Sequence, residues 1–117
     1  MGAAMKVSTA AVSVVLICAG AIAASAQSPS PYDRTFALRG GTEAVLYADM
    51  SASSSKKGVL PAGASGIVLR WCRSEFDFGK WQFGTLKDQL KYLDARWCEV
   101  SYKGVVGNVP GSVLTPE

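Results

Sequence analysis

The side chains able to do chemistry in this chain are few and scattered. It contains no histidine, which removes the usual base for a Ser or Cys nucleophile. Its nine acidic residues stand singly, and the closest pair is Glu75 and Asp77. They sit two apart beside Phe76 and Phe78, a spacing that alternating solvent exposure explains as well as an acid–base pair does. No Gly-rich phosphate loop and no cluster of metal-ligand residues occurs. A catalytic residue, a metal and a cofactor are therefore not expected, and the chain reads as a binding protein rather than an enzyme.

The cysteines point to a compartment. Lys6 is the one charge ahead of an apolar run from Val7 to Ala24, which closes on Ala24-Ser25-Ala26. Small residues at those two positions suit a signal peptidase, so residues 1–26 are expected to be removed before Gln27. The other reading of the run is a membrane-spanning helix, for which about eighteen residues is the lower edge. Its Ala and Ser content and the lack of a basic cluster after it favour cleavage. Ile17 before Cys18 is larger than the residue that usually precedes a lipidated Cys. Export would leave Cys72 and Cys98, an even pair that is expected to form a disulfide. The loop between them holds twenty-five residues, for which the chain-entropy model gives roughly 3–4 kcal/mol.

Without Lys6, eleven basic residues face nine acidic ones. No Lys/Arg cluster exceeds Lys56-Lys57, so nucleic acid is not an expected partner. A monomer in the periplasm or outside the cell is expected, with no membrane contact once the signal is cleaved.

The elements that must position any site are short. Residues 27–41 hold Pro, Ser and Gly and read as a flexible leader. Thr42 to Ala48 reads as a first strand, Ser51 to Lys57 as a loop, and Pro61-Ala62-Gly63 as a turn. Ile67 to Cys72 is β-branched and aromatic enough for a core strand. In the segment 73–96, Phe76, Phe78, Trp81 and Phe83 precede a short helix over 85–93. Thr85 and Asp88 cap that helix, and Leu86, Leu90 and Leu93 share one face. Trp97 to Tyr102, a Lys103-Gly104 turn and Val105 to Pro110 form a hairpin. Alternation puts Cys98, Val100 and Tyr102 towards the core and Trp97, Glu99 and Ser101 away from it. If Cys72 joins Cys98, strict alternation turns Arg70 inward and Leu69 outward, so a bulge or bend before Cys72 is expected.

In Leu60-Pro61-Ala62-Gly63, Trp97-Cys98-Glu99-Val100 and Gly107-Asn108-Val109-Pro110 the chain resembles the bacterial SH3-like domain family. The resemblance covers about residues 42–114, apart from the insertion 73–96. It implies an all-β fold, a small SH3-like β-barrel of about five to six short, bent strands, here with a short helical insertion. It also implies binding of cell-wall peptidoglycan or a peptide. The family's Gly-Trp is replaced here by Gly107-Asn108, and its Asn-x-Arg-x-Gly-Pro string by Tyr47-Ala48-Asp49-Met50-Ser51.

On that frame Tyr47, Asn108 and Pro110 are expected near the ligand face, with Trp81 extending it from the insertion. Aromatic planes suit polyproline II peptides, and they also suit sugar rings. Trp71 and Trp97 are expected to pack within the strands. The alternative function is a secreted inhibitor or accessory protein that docks through an exposed patch around Phe76, Phe78 and Trp81.

Overall fold

The computed structural model describes residues 30–117. The expected signal segment 1–26, with Cys18, lies outside the described residues. Seven strands follow in chain order: β1 (Thr35–Leu38), β2 (Ala44–Tyr47), β3 (Lys56–Leu60), β4 (Ile67–Cys72), β5 (Trp97–Tyr102), β6 (Val105–Pro110) and β7 (Leu114–Pro116). Helices α1 (Phe78–Phe83) and α2 (Leu86–Asp94) lie between β4 and β5, and 3-10 turns form at Pro31–Asp33 and Gly111–Val113. All strands pair antiparallel in one sheet of order β3-β2-β6-β5-β4-β1-β7.

The sheet is open: β3 and β7 sit at opposite ends of the order and do not pair. Both edges carry residues that discourage closure. Lys56 and Lys57 are exposed on β3, and Pro116 on β7 has no N–H to offer. The chain is therefore mostly β, with two short helices in the insertion rather than one.

The central hairpin forms as its sequence predicts. Lys103 and Gly104 both take positive φ, 49° and 83°, the conformation of a two-residue turn whose twist matches the strands. Cys98 and Val100 point into the core, while Tyr102 is half-buried at the hairpin end. Next to β5, β4 resolves its parity conflict with a bulge. Its register against β5 shifts between Leu69 and Trp71, so Ile67, Leu69 and Cys72 are all buried while Arg70 and Trp71 are exposed. Cys72 lies directly opposite Cys98, and the two form the expected disulfide.

Structure begins earlier than the leader assigned to 27–41 suggests. From Pro31 the chain is ordered into the 3-10 turn and β1, where Phe36 and Leu38 are buried and Phe36 pairs with both Ile67 and Pro116. Tyr32 anchors the turn. Its hydroxyl accepts the Cys72 N–H at 3.2 Å, and its ring meets Phe76 edge-on at 5.9 Å. Burial pushes the Tyr32 phenol above its ordinary pKa, partly offset by that hydrogen bond, so the group stays neutral.

The insertion supplies the rest of the core. Thr85 and Asp88 form the capping box at the start of α2. Leu93 is buried, Leu90 half-buried and Leu86 exposed, so the inward face is turned from the expected one and carries Gln89 instead. The Gln89 amide Nε2 donates to the Trp81 carbonyl at 2.8 Å, joining α1 to α2. Gly111 lies so close under α2 that a Cβ there would stand 2.2 Å from the Leu93 carbonyl oxygen.

Candidate functional site

In an antiparallel sheet directly opposed residues share a face, and each strand alternates between faces. On β5 the pairs Cys98↔Val109 and Val100↔Gly107 face the core; Trp97↔Pro110 and Glu99↔Asn108 face outward. Tyr47 pairs with Asn108 and Trp71 with Glu99. A row of Tyr47, Asn108, Glu99 and Trp71 therefore runs across β2, β6, β5 and β4, about 14 Å over three strand spacings.

Aromatic rings dominate this row and its neighbour. The Tyr47 ring meets Trp97 edge-on, with centroids 5.9 Å apart. Trp71 stands diagonally from Trp97 and is 49% exposed. Asn108, covered by its neighbours, plays a structural part. Its Nδ2 donates to the carbonyls of Tyr47 at 3.2 Å and Ala48 at 3.1 Å, which holds β2 against β6. Arg70, displaced outward by the bulge, donates from Nε to Glu99 at 2.9 Å.

Three of the residues expected at the ligand face, Tyr47, Asn108 and Pro110, thus come together around Trp97. Trp81 does not join them. It is 1% exposed, wedged against Phe36 at 6.2 Å and Phe76 at 5.3 Å, where no ligand reaches its ring. The reason is its place on the inward side of a six-residue helix, which turns Lys80 and Phe83 to solvent and Trp81 to the core. Trp71 and Trp97, expected within the strand packing, are the residues that face outward. The alternation of β5 already separated Trp97 from Cys98 and Val100, and Trp71, next to an inward Cys72, is turned outward by the same alternation.

A second concavity, of about 210 Å³, is lined by Glu75, Asp77, Lys80, Tyr92 and Arg96. Its arginine is committed to the fold. The Arg96 guanidinium donates to the carbonyls of Ser74 at 3.1 Å, Tyr92 at 2.6 Å and Glu75 at 2.8 Å, and stacks 4.4 Å from the Phe76 ring centroid. It braces the insertion at the foot of β5. The expected patch of Phe76, Phe78 and Trp81 is likewise mostly core, since only Phe78 reaches solvent. The exposed apolar pair of the insertion is instead Phe83 at 84% and Leu86 at 57%.

Among the described residues, no three His, Cys, Asp or Glu side chains gather to hold a metal ion. No described helix is long and apolar enough to cross a membrane. Comparison with family models, curated proteins and solved structures found no match.

Proposed function

We propose that this chain is an exported, non-enzymatic binding module of the SH3-like kind, and that the outer face of its sheet takes the glycan of cell-wall peptidoglycan. The observation that carries this reading is the aromatic row: Tyr47, Trp97 and Trp71 share the solvent side of β2, β5 and β4. Trp71 is exposed and Tyr47 and Trp97 are half-buried. Rings on this side of the sheet add nothing to the core, whereas they offer planes on which the C–H faces of sugars stack. A buried disulfide with Cys98 fully enclosed supports an oxidising compartment.

The test is co-sedimentation of the oxidised protein with isolated sacculi. Depletion from the supernatant that survives moderate salt and is lost in Trp71→Ala supports the reading; full recovery in the supernatant sinks it. A second reading, docking on another protein through the insertion, draws support from the exposure of Phe83 and Leu86. Phe83→Ser separates the two, since it leaves glycan binding intact and removes a protein contact.

A further inference from the structure

Resting on the glycan reading, we infer that the outer face is built for a carboxylate-bearing sugar chain, with Arg73 as the residue that pairs with the carboxylate. A peptidoglycan strand takes this form where the stem peptide has been removed from N-acetylmuramic acid. The Arg73 N–H donates to the Trp97 carbonyl at 2.9 Å. The β4–β5 pairing thus continues one residue past the disulfide, opposite Trp97. Since Cys72 points into the core, the Arg73 side chain leaves on the outward side, beside the Trp97 ring. Directly opposed residues stand about 5 Å apart, and diagonal ones such as Trp71 and Trp97 about 7 Å. A sugar lying over Trp97 therefore has the guanidinium at its rim and a second aromatic plane one ring further on.

Position and shape single out Arg73 among the cations of this face, since Lys56 lies three strands from Trp97, on β3. Glu99 is the acid in the row and is already neutralised by Arg70 at 2.9 Å. Tyr47, Trp71, Trp97, Asn108 and Pro110 carry no charge. Among the described residues no carboxylate pairs with the exposed Arg73. The face therefore presents two uncompensated positive charges beside its rings, Lys56 opposite Tyr47 and Arg73 opposite Trp97, and only the second is a guanidinium. A guanidinium offers a planar fork that matches a carboxylate with two parallel hydrogen bonds, a geometry that lysine lacks. A neutral sugar would use the rings and leave this fork to water.

The experiment is a tryptophan-fluorescence titration of the oxidised protein with two soluble probes. One is a neutral chitin oligosaccharide; the other is an N-acetylglucosaminyl-N-acetylmuramic acid oligosaccharide of equal length, which bears carboxylates. The acidic probe is expected to bind at least about tenfold more tightly, the scale of a charge-assisted hydrogen bond. Arg73→Gln should bring both probes to the neutral affinity, and Lys56→Gln should keep the preference. Neither should move the thermal midpoint, because both residues are exposed. A preference that survives Arg73→Gln overturns the role of Arg73. Equal affinity of the two probes, unchanged in Arg73→Gln, overturns the carboxylate inference and leaves the glycan reading standing. If neither sugar binds, whether or not an acidic peptide does, the glycan reading falls and this inference falls with it.

Discussion

Asn108 is the place where the fold and the proposed ligand face depend on one side chain. β2 meets β6 through a single aligned pair, Tyr47↔Asn108, and the two bonds from Asn108 Nδ2 to the carbonyls of Tyr47 and Ala48 reinforce that short pairing. Each such bond contributes about 1 kcal/mol net. Ala48 is exposed, so its carbonyl recovers water when the amide is removed, and no large desolvation penalty adds to the loss. Asn108→Ala should then cost about 2 kcal/mol, which for a domain of this size lowers the thermal midpoint by roughly 10 °C.

Asn108→Asp is the sharper variant. It keeps the shape, removes both donors and aims a buried carboxylate at two carbonyl oxygens. At neutral pH it should be less stable than Asn108→Ala. Burial raises the folded-state pKa of such an acid above its unfolded value of about 3.9, so the extra penalty is present at neutral pH and fades as the pH falls towards 4. Thermal unfolding of the oxidised proteins by circular dichroism, at about pH 7 and again near pH 4, measures both effects. The reasoning is refuted if Asn108→Asp matches the parent at neutral pH, because then the amide donors do not hold β2 in place.

Other perturbations have equally definite outcomes. Replacing Cys72 and Cys98 together by Ser should cost roughly 3–4 kcal/mol, read as a shift of the urea midpoint. An unchanged midpoint would mean that the loop constraint is idle. Trp81→Ala should cost about 3–5 kcal/mol by opening a cavity, whereas Phe83→Ala should stay within about 0.5 kcal/mol; equal losses would contradict their opposite burial. Gly111→Ala drives a Cβ into the Leu93 carbonyl, and two-dimensional NMR should show α2 displaced or the protein unfolded. Hydrogen bonds from the Thr85 backbone and then its side chain hold the Asp88 carboxyl below its ordinary pKa. Its stabilising effect is therefore present above the unfolded value and lost as the pH falls through the folded one. Asp88→Ala, which removes the carboxyl, should flatten that acid limb of the stability profile, whereas Thr85→Ala, which keeps the backbone donor, should only reduce it.

Where a signal is local, the sequence carries it well. The β5–β6 turn, the Thr85–Asp88 box and the cysteine pair each depend on residues within one element or on a simple count. Even the bulge in β4 follows from requiring Cys72 and Leu69 to point the same way, although its position at Arg70 does not. The short edge elements were hidden. Phe36 and Leu38 are only two inward positions among Pro, Ser and Arg, and β1 owes its existence to partners at Ile67 and at Pro116. The aromatics misled for a related reason. Trp81 and Phe83 are two residues apart in one short helix and reach opposite environments, and that depends on how the helix docks, not on residue type. Trp71 looks like core by residue type, yet its place next to the inward Cys72 turns it outward.

The extra residue in β4 has an engineering consequence. Without Arg70, the order Ile67, Val68, Leu69, Trp71, Cys72 alternates in, out, in, out, in. A deletion of Arg70 should therefore leave an unbroken ladder, with Cys72 still facing Cys98 and Trp71 still outward. The strand tolerates losing a residue at its centre because that position lies outside the pairing scheme, and the cost falls on Glu99, whose partner disappears. Position 70 is thus a splice point at which the chain can be shortened, or the face recharged, without re-registering the sheet.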